Sequence, residues 1–416
     1  MELQEVIDAA RETLVGKRST VEAQEFEYAF YRNCKTLWRE VNEGRYKPSR
    51  YIAFVSKSPV VREIFGSHIR DRVVDTLIVR RILPYVEAQL VDDNYSTRRE
   101  KGTLYGVRRV EDMIRRVSEN YTKDCYILKE DIWSFFMSIP KDRAYQLWED
   151  FLHAKYHEPD CELILSLLKV IIYDRPEKHC VRKGRRSDWD LLPPHKSMFN
   201  ADGTKGLPIG KVISQITALL YLDALDHKMA TEWGVPENGH YMDDRVMVHT
   251  SREHLQQVRQ LLAKGHREIG LKTHPKKTYL QHYSKGVLFA GAMILPGRTY
   301  VSNRTLSNCF DRLEDFNREA AKSPRYCEHH AQEFAEAMNS YFGTLSHFTE
   351  WNTIHRLIHA IGPNWYRVME VVGRKGRYHI RLHPRYSEKR EARQVVVPWV
   401  EDEPCKHDSA FGSGVL

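Results

Sequence analysis

Two adjacent carboxylates, Asp243 and Asp244, stand between His240-Tyr241-Met242 and the strand-like run Val246-Met247-Val248. Like charges side by side are costly unless a tight turn exposes them or cations neutralise them. A β-hairpin tip presenting Asp-Asp to a divalent metal meets both conditions; a solvated pair in a surface turn meets only the first. More than a hundred residues upstream, the β-branched and aromatic run 125–132 (CYILKEDI) predicts a buried strand ending at Asp131. If these strands are neighbours in one antiparallel sheet, three carboxylates converge. That set suits two divalent ions, one activating an attacking oxygen and the other steadying a leaving phosphate. Mg2+ is favoured because it takes few carboxylates plus substrate phosphates, with Mn2+ as the alternative. Ile132 would contribute only its carbonyl, a further hard oxygen ligand.

A chain of 416 residues can bury a large core and should divide into two or three subdomains. Its hydrophobic content of 42% against 29% charged residues excludes a disordered chain. The net charge of +8 points to a polyanionic partner. Seven cysteines, odd in number, scattered and without a CxxC pair, indicate neither a zinc ribbon nor a disulfide framework, and fit a reducing interior. The N-terminus lacks an apolar leader, and no 18-residue apolar span occurs. The expectation is a cytoplasmic protein without a membrane partner.

The order of elements predicts an α+β chain in four parts. Residues 1–49 read as a helical segment, with Leu3, Ile7, Ala10 and Leu14 on one face and Phe26, Phe30, Leu37 and Val41 on another. Residues 50–300 alternate strands and helices. They include a strand at 51–55, helices over 73–90, 105–114, 140–151, 161–172, 213–229 and 253–269, and strand-like pieces near 277–281 and 287–295. Residues 301–364 are helical, with Phe334, Met338, Tyr341 and Leu345 on one face, and 365–416 form a small β-rich extension with a polar end. The segment 174–206 is basic and reads as a long irregular loop, functional or disordered, that would contact a phosphate backbone or lie solvated.

Between the carboxylates lies KGLPIGKVISQ (205–215), where two glycines and a proline before a helix let backbone approach a ligand closely. The order is Asp strand, glycine-proline junction, helix and Asp-Asp hairpin. It resembles the palm of reverse transcriptases, right-hand polymerases with fingers, palm and helical thumb. KEDIWSFFMSIP (129–140) is similar to their first carboxylate motif, and YMDD (241–244) to their second. GLKTHPKKTYL (270–280) resembles the motif whose lysine assists the leaving pyrophosphate, here Lys277, with Lys276 next. VLFAGAMIL (287–295) is similar to the hairpin that grips the primer, and REIFGSHIRDRVV (62–74) and NYSTRREKGT (94–103) to the fingers motifs.

The resemblance spans about residues 45–350 and implies roles. Asp131, Ile132, Asp243 and Asp244 would hold metal, and Lys277 would join the three aspartates in catalysis. Arg62, Arg72, Phe136, Ile209, Gly210 and Gln215 would meet the nucleotide, with Phe136 blocking a ribose 2′-hydroxyl and Phe135 in the core. Arg98, Arg99, Lys101, Tyr241, Met242 and Gly291 would meet nucleic acid. The implied partners are an RNA template, a DNA or RNA primer and dNTPs.

One position narrows the family. Retroviral and group II intron enzymes have glutamine before the second glycine of the junction loop; here it is Ile209, followed by Ser214-Gln215. With KGRRSDWDLLPPHKSMF (183–199), this resembles diversity-generating retroelement reverse transcriptases. Those imply error at template adenines, a structured noncoding or template-repeat RNA and a small basic accessory protein. Defence-associated bacterial reverse transcriptases are similar in the same loop, and a catalytically silent RNA-binding polymerase fold is the other alternative. Arg245 departs from the aromatic or aliphatic residue usual after YMDD, either tuning the site or facing solvent, and Asn94 stands where serine is common. The cluster Cys327-Glu328-His329-His330 lacks metal-ligand spacing on a helix.

Overall fold

A computed structural model describes residues 1–57, 60–374 and 376–387. The strand-like piece RQVVVPWV (393–400), the polar C-terminal end and Cys405 lie outside the described residues. The N-terminal helices are α1 (Leu3–Leu14), α2 (Val21–Tyr28) and α3 (Phe30–Asn42). The faces predicted from their apolar spacing are buried: Ile7, Ala10, Leu14, Phe26, Phe30, Leu37 and Val41 all join one core with α4 (Ile69–Gln89).

Before α4, β1 (Tyr51–Ser56) and β2 (Arg62–Gly66) form an antiparallel pair. After it come α5 (Thr103–Val117), β3 (Tyr126–Asp131), the short α6 (Phe135–Ser138), α7 (Lys141–Lys155) and α8 (Cys161–Tyr173). The basic segment that follows is ordered rather than irregular. Its β4 (Cys180–Arg182) pairs in parallel with β1, and short 3-10 turns carry the chain onward. What anchors it is buried Glu63 on β2, whose carboxylate accepts Trp189 Nε1 (2.8 Å), Ser197 Oγ (2.8 Å) and Met198 N (2.7 Å). Polar composition concealed this, because the anchor lies far upstream.

The centre is a four-stranded antiparallel sheet. Helix α9 (Val212–Thr231) leads into β5 (Asn238–Tyr241) and β6 (Asp244–His249), then α10 (Arg252–Glu268) and β7 (Tyr279–His282). The strand order is β5-β6-β3-β7. Successive side chains of a strand point to opposite faces. Ile127, Val246 and Val248 accordingly join the core with α5, while Leu128 and Met247 join the core with α9 and α10.

Beyond β7 the strand-like piece at 287–295, similar to a hairpin, is one: β8 (Val287–Phe289) turns into β9 (Ala292–Leu295), which pairs with β10 (Arg298–Val301). Ala290 (φ 46°) and Gly291 (φ 85°) make the two-residue turn, both in the left-handed region that a tight hairpin favours. Then α11 (Asn303–Lys322), α12 (Pro324–Leu345) and α13 (Trp351–His359) pack around Phe316, Phe334 and Trp365. The hairpin β11 (Met369–Arg374) and β12 (Arg377–Leu382) lies against α12, and α14 (Pro384–Ser387) follows. Cys327 is buried in this core, while His329 and His330 pair with the carbonyls one helical turn back, so that cluster is helix structure. Among the described residues no helix is long and apolar enough to cross a membrane.

Candidate active site

The register of β3 on β6 brings the carboxylates together. Asp131 and Asp244 are direct cross-strand partners, so their side chains share one face of the sheet. Asp243 is not in a strand but in the two-residue turn with Met242, between paired Tyr241 and Asp244. Met242 has φ 56° and Asp243 does not share it, a pattern in which glycine is favoured at the first position. A methionine holds that conformation because its ends are tied. Met242 N reaches Ser96 Oγ (3.4 Å), and Met242 O lies 2.9 Å from His240 Nδ1.

Burial, and then the charge of Asp131, push the Asp243 carboxyl above the ordinary carboxylate range; Lys277 and Arg62 pull against this. Two ammonium groups meet the carboxylates. Lys277 Nζ donates to Asp131 Oδ2 at 2.8 Å, and buried Lys129 pairs with Asp244. Burial holds Lys129 down to about 8, against the pull of Asp131, Asp243 and Glu130. Asp244 Oδ2 also accepts Ala290 N at 3.1 Å, so the β8–β9 turn is fastened to the site. Lys129 was missed in the sequence, yet it stands two residues before Asp131, where strand alternation puts it on the same face.

The opposite face carries a buried ionic network. Arg245 and Glu130 are cross-strand partners one step behind Asp244 and Asp131. Arg245 pairs with Asp226 of α9 and stands 4.0 Å from Glu130. Asp226 Oδ2 meets His240 Nε2 at 2.9 Å, and Glu130 Oε1 meets His266 Nδ1 of α10 at 3.1 Å. All five side chains are buried. Arg245 therefore does not face solvent.

The loop after α10 runs along the end of β3: His274 N donates to Asp131 O (2.7 Å), and Trp133 N donates to Lys272 O (2.7 Å). Trp133 stacks on His195 of the basic segment at 4.7 Å and lies 4.8 Å from the His274 ring. Ile132 is bridged to Thr273.

The junction loop is seated on β2. Ile209 O accepts Phe65 N (2.9 Å), and Gly210 has φ 118°. A Cβ on Gly210 would stand 2.8 Å from Phe65 O, which explains the glycine. Lys211 is buried against Asp75 at 3.3 Å. Gln215 Oε1 accepts Thr97 Oγ1 (3.1 Å). Phe136 is partly buried beside fully packed Phe135, and its carbonyl accepts Leu207 N (2.9 Å).

Other expected residues separate. Arg62 is exposed, and its charge bears on Asp243. Arg72 instead donates to Ser67 O (2.9 Å) and lies toward Lys17. Arg98 and Lys101, expected at nucleic acid, are spent on their own loop. Arg98 donates to Val91 O (2.7 Å), and Lys101 pairs with Asp92 at 2.7 Å. Arg99 is exposed, as is Gly291 at the β8–β9 turn, while Tyr241 is partly buried. Asn94 is fully buried and bridges to His240, adding a parallel rung beside β5.

The family model for "Reverse transcriptase (RNA-dependent DNA polymerase)" matches residues 61–294, more than half of the chain. The chain belongs to the reverse transcriptase family, and its α+β architecture with antiparallel sheets is a right-hand polymerase fold. No curated protein matches it. Similar solved structures include apo telomerase from Candida tropicalis truncated from its C-terminal domain, at 12% identity and TM-score 0.41, covering 60% of this chain and 55% of that one. Telomerase from Candida albicans in complex with a TWJ fragment of telomeric RNA is similar at 10% identity and TM-score 0.41, covering 77% and 60%. A further structure of apo telomerase from Candida tropicalis matches at 13% identity and TM-score 0.40, covering 77% and 63%. The chain spans less than two thirds of each of these. Polymerases of this family generally use divalent metal ions. The donor set here fits them: three carboxylates on one face and tip, one already raised by burial and its neighbour.

Proposed function

We propose that this protein is an RNA-directed DNA polymerase that copies a structured noncoding or template-repeat RNA into cDNA, with errors at template adenines, as in diversity-generating retroelements. The observation that carries the polymerase reading is the cross-strand pair Asp131–Asp244 with Asp243 at the adjoining tip. In this reading 50–300 are fingers and palm, 301–364 the thumb and 365–416 an extension. The location is cytoplasmic. RNA template, DNA or RNA primer, dNTPs and a small basic accessory protein are the partners.

Asp131, Asp243 and Asp244, with the Ile132 carbonyl, would hold Mg2+ or Mn2+, whose Lewis acidity acts on the 3′-hydroxyl and the leaving phosphate. The chain's own groups do the rest. Lys277 holds a proton at Nζ beside Asp131, placed to neutralise departing pyrophosphate. Arg62 offers a guanidinium fork to the triphosphate, with Arg72 bracing the start of α4. Gly210 brings backbone close to the nucleotide, and Gln215 steadies the fingers loop through Thr97. Arg99 and Gly291 offer exposed contacts to nucleic acid.

Phe136 sits five residues past Asp131, between that strand and the junction loop. Phe136→Ala is expected to lower the preference for dNTPs over ribonucleotides, on the order of ten- to hundredfold. The ratio of single-nucleotide kcat/KM values measures it; an unchanged ratio removes Phe136 from sugar selection.

Ile209 carries the subtype. Isoleucine offers shape where glutamine would offer a hydrogen bond, and a polar contact of about 1–3 kcal/mol is worth tens of fold in discrimination. Sequencing cDNA from a defined RNA should show excess misincorporation opposite adenine, reduced roughly tenfold or more in Ile209→Gln. Equal error at all four template bases would refute the subtype while leaving the polymerase reading intact.

A further inference from the structure

The charge of this chain is concentrated where the family motifs do not reach. Residues 365–387 hold six Arg or Lys against one acid, Glu370, a net five of the whole chain's eight. Strand alternation sorts them. Met369, Val371, Tyr378, Ile380 and Leu382 pack on the thumb core, while Arg374, Arg377, His379 and Arg381 are exposed on the other face. Arg381 is matched by Glu370 at 2.7 Å. Arg374 and Arg377 are direct cross-strand partners at the hairpin tip. Like charges so placed repel, and among the described residues neither has a carboxylate partner. With Gly373 and His379 they line a concavity of about 370 Å³. Gly373 must be glycine, for a Cβ there would stand 2.1 Å from Arg377 O.

The tip also has a defined address. A Cβ on Gly376 would sit 3.3 Å from the half-exposed indole of Trp351. The preceding Glu350 accepts Val301 N of β10 at 3.1 Å, and Thr349 N reaches Thr299 O at 3.4 Å. Strand β10 pairs with β9 and β9 with β8, whose turn donates to Asp244. One continuous path of hydrogen bonds and packing thus runs from the catalytic carboxylates to the cationic tip.

We propose that the Arg374–Arg377 end of the β11–β12 hairpin is a phosphate-binding ledge for the nucleic-acid duplex after it leaves the palm. The ledge carries two guanidinium groups, unmatched among the described residues, around a hollow on a sheet fixed to the thumb. A phosphate backbone supplies the missing charge, and guanidinium forks match its oxygens. A membrane surface is disfavoured, because interfacial binding needs large apolar residues beside the cations. The outer face carries Val372 and Glu370 beside its Arg and His residues, and Trp351 next to the tip is a lone large apolar group. This inference rests on the polymerase reading for the identity of the duplex.

The test compares full-length wild type with Arg374→Ala/Arg377→Ala and Arg374→Lys/Arg377→Lys. Binding to RNA–DNA hybrids is measured against salt, one hybrid short enough to end within the palm and one continuing past the thumb. Each phosphate that is no longer neutralised lowers the salt slope by about 0.9, so two of them make the alanine variant about tenfold less sensitive between 50 and 200 mM salt. That change is expected on the long hybrid only. The lysine variant should retain most of the slope, and insertion of one nucleotide on a saturated short hybrid should be unchanged in kcat. Equal slopes for wild type and alanine variant on the long hybrid overturn the ledge. So does an affinity loss seen only with anionic vesicles, or equally on both hybrids. Absence of any extension by wild type, with hybrid binding intact, instead counts against the polymerase reading.

Discussion

Asp243→Asn is expected to abolish primer extension on an RNA template, by three powers of ten or more. Losing about 4 kcal/mol of charge stabilisation at the reacting phosphate is a thousandfold in rate. The same substitution should have an opposite effect on the free protein. Asp243 sits beside Asp131, and burial and repulsion raise its carboxyl. Removing that charge relieves the repulsion, so the metal-free variant should unfold no more easily than wild type. Mg2+ should raise the melting temperature of wild type, since a ligand that binds only the folded state stabilises it. It should do so much less in the variant. Extension retained by Asp243→Asn would refute the assigned site and favour a silent RNA-binding fold.

Arg245→Leu is expected to cost about 3–5 kcal/mol of stability, the range for removing one partner of a buried ion pair. Asp226 and Glu130 would keep their burial and lose their shared cation. Burial pushes Asp226 up, yet Arg245 and His240 hold it below 3.8. A carboxyl lowered on folding contributes stability fully present above 3.8 and lost as pH falls below it. Wild type should show that acid-side loss, and Arg245→Leu should show less of it. Chemical denaturation at neutral and acid pH measures both. Equal midpoints at neutral pH would mean that the network contributes nothing to stability.

The parts of this molecule written in local pattern were legible. Strand β3 ending at Asp131, the hairpin around Asp243 and the helices of the first and third parts followed from periodicity and turn chemistry. Lys129 was available to the same logic, since alternation alone puts it beside Asp131. What escaped were partners brought in from far along the chain. Arg245 looked free because its acid lies on α9, and Arg98 looked available because its carbonyl acceptors are invisible to side-chain reading. The basic segment looked irregular because Glu63, more than a hundred residues away, orders it. Strand β2, hidden in a run read only for its arginines, was missed for lack of a clear alternation.

The two faces of β3 and β6 have a consequence for how the chain avoids misfolding. A slip of one residue in strand pairing turns every side chain to the other side. Were β3 to slide by one place, Asp131 would enter the layer of Leu128, Met247 and the helices, and Glu130 would leave the cation that matches it. Such a chain would bury a charge without its counter-ion, a cost of several kcal/mol. The salt bridges behind the carboxylates thus act as a key cut for a single alignment. Mispaired forms are rejected during folding next to the carboxylates, so a molecule that folds stably in this region has Asp131 and Asp244 aligned.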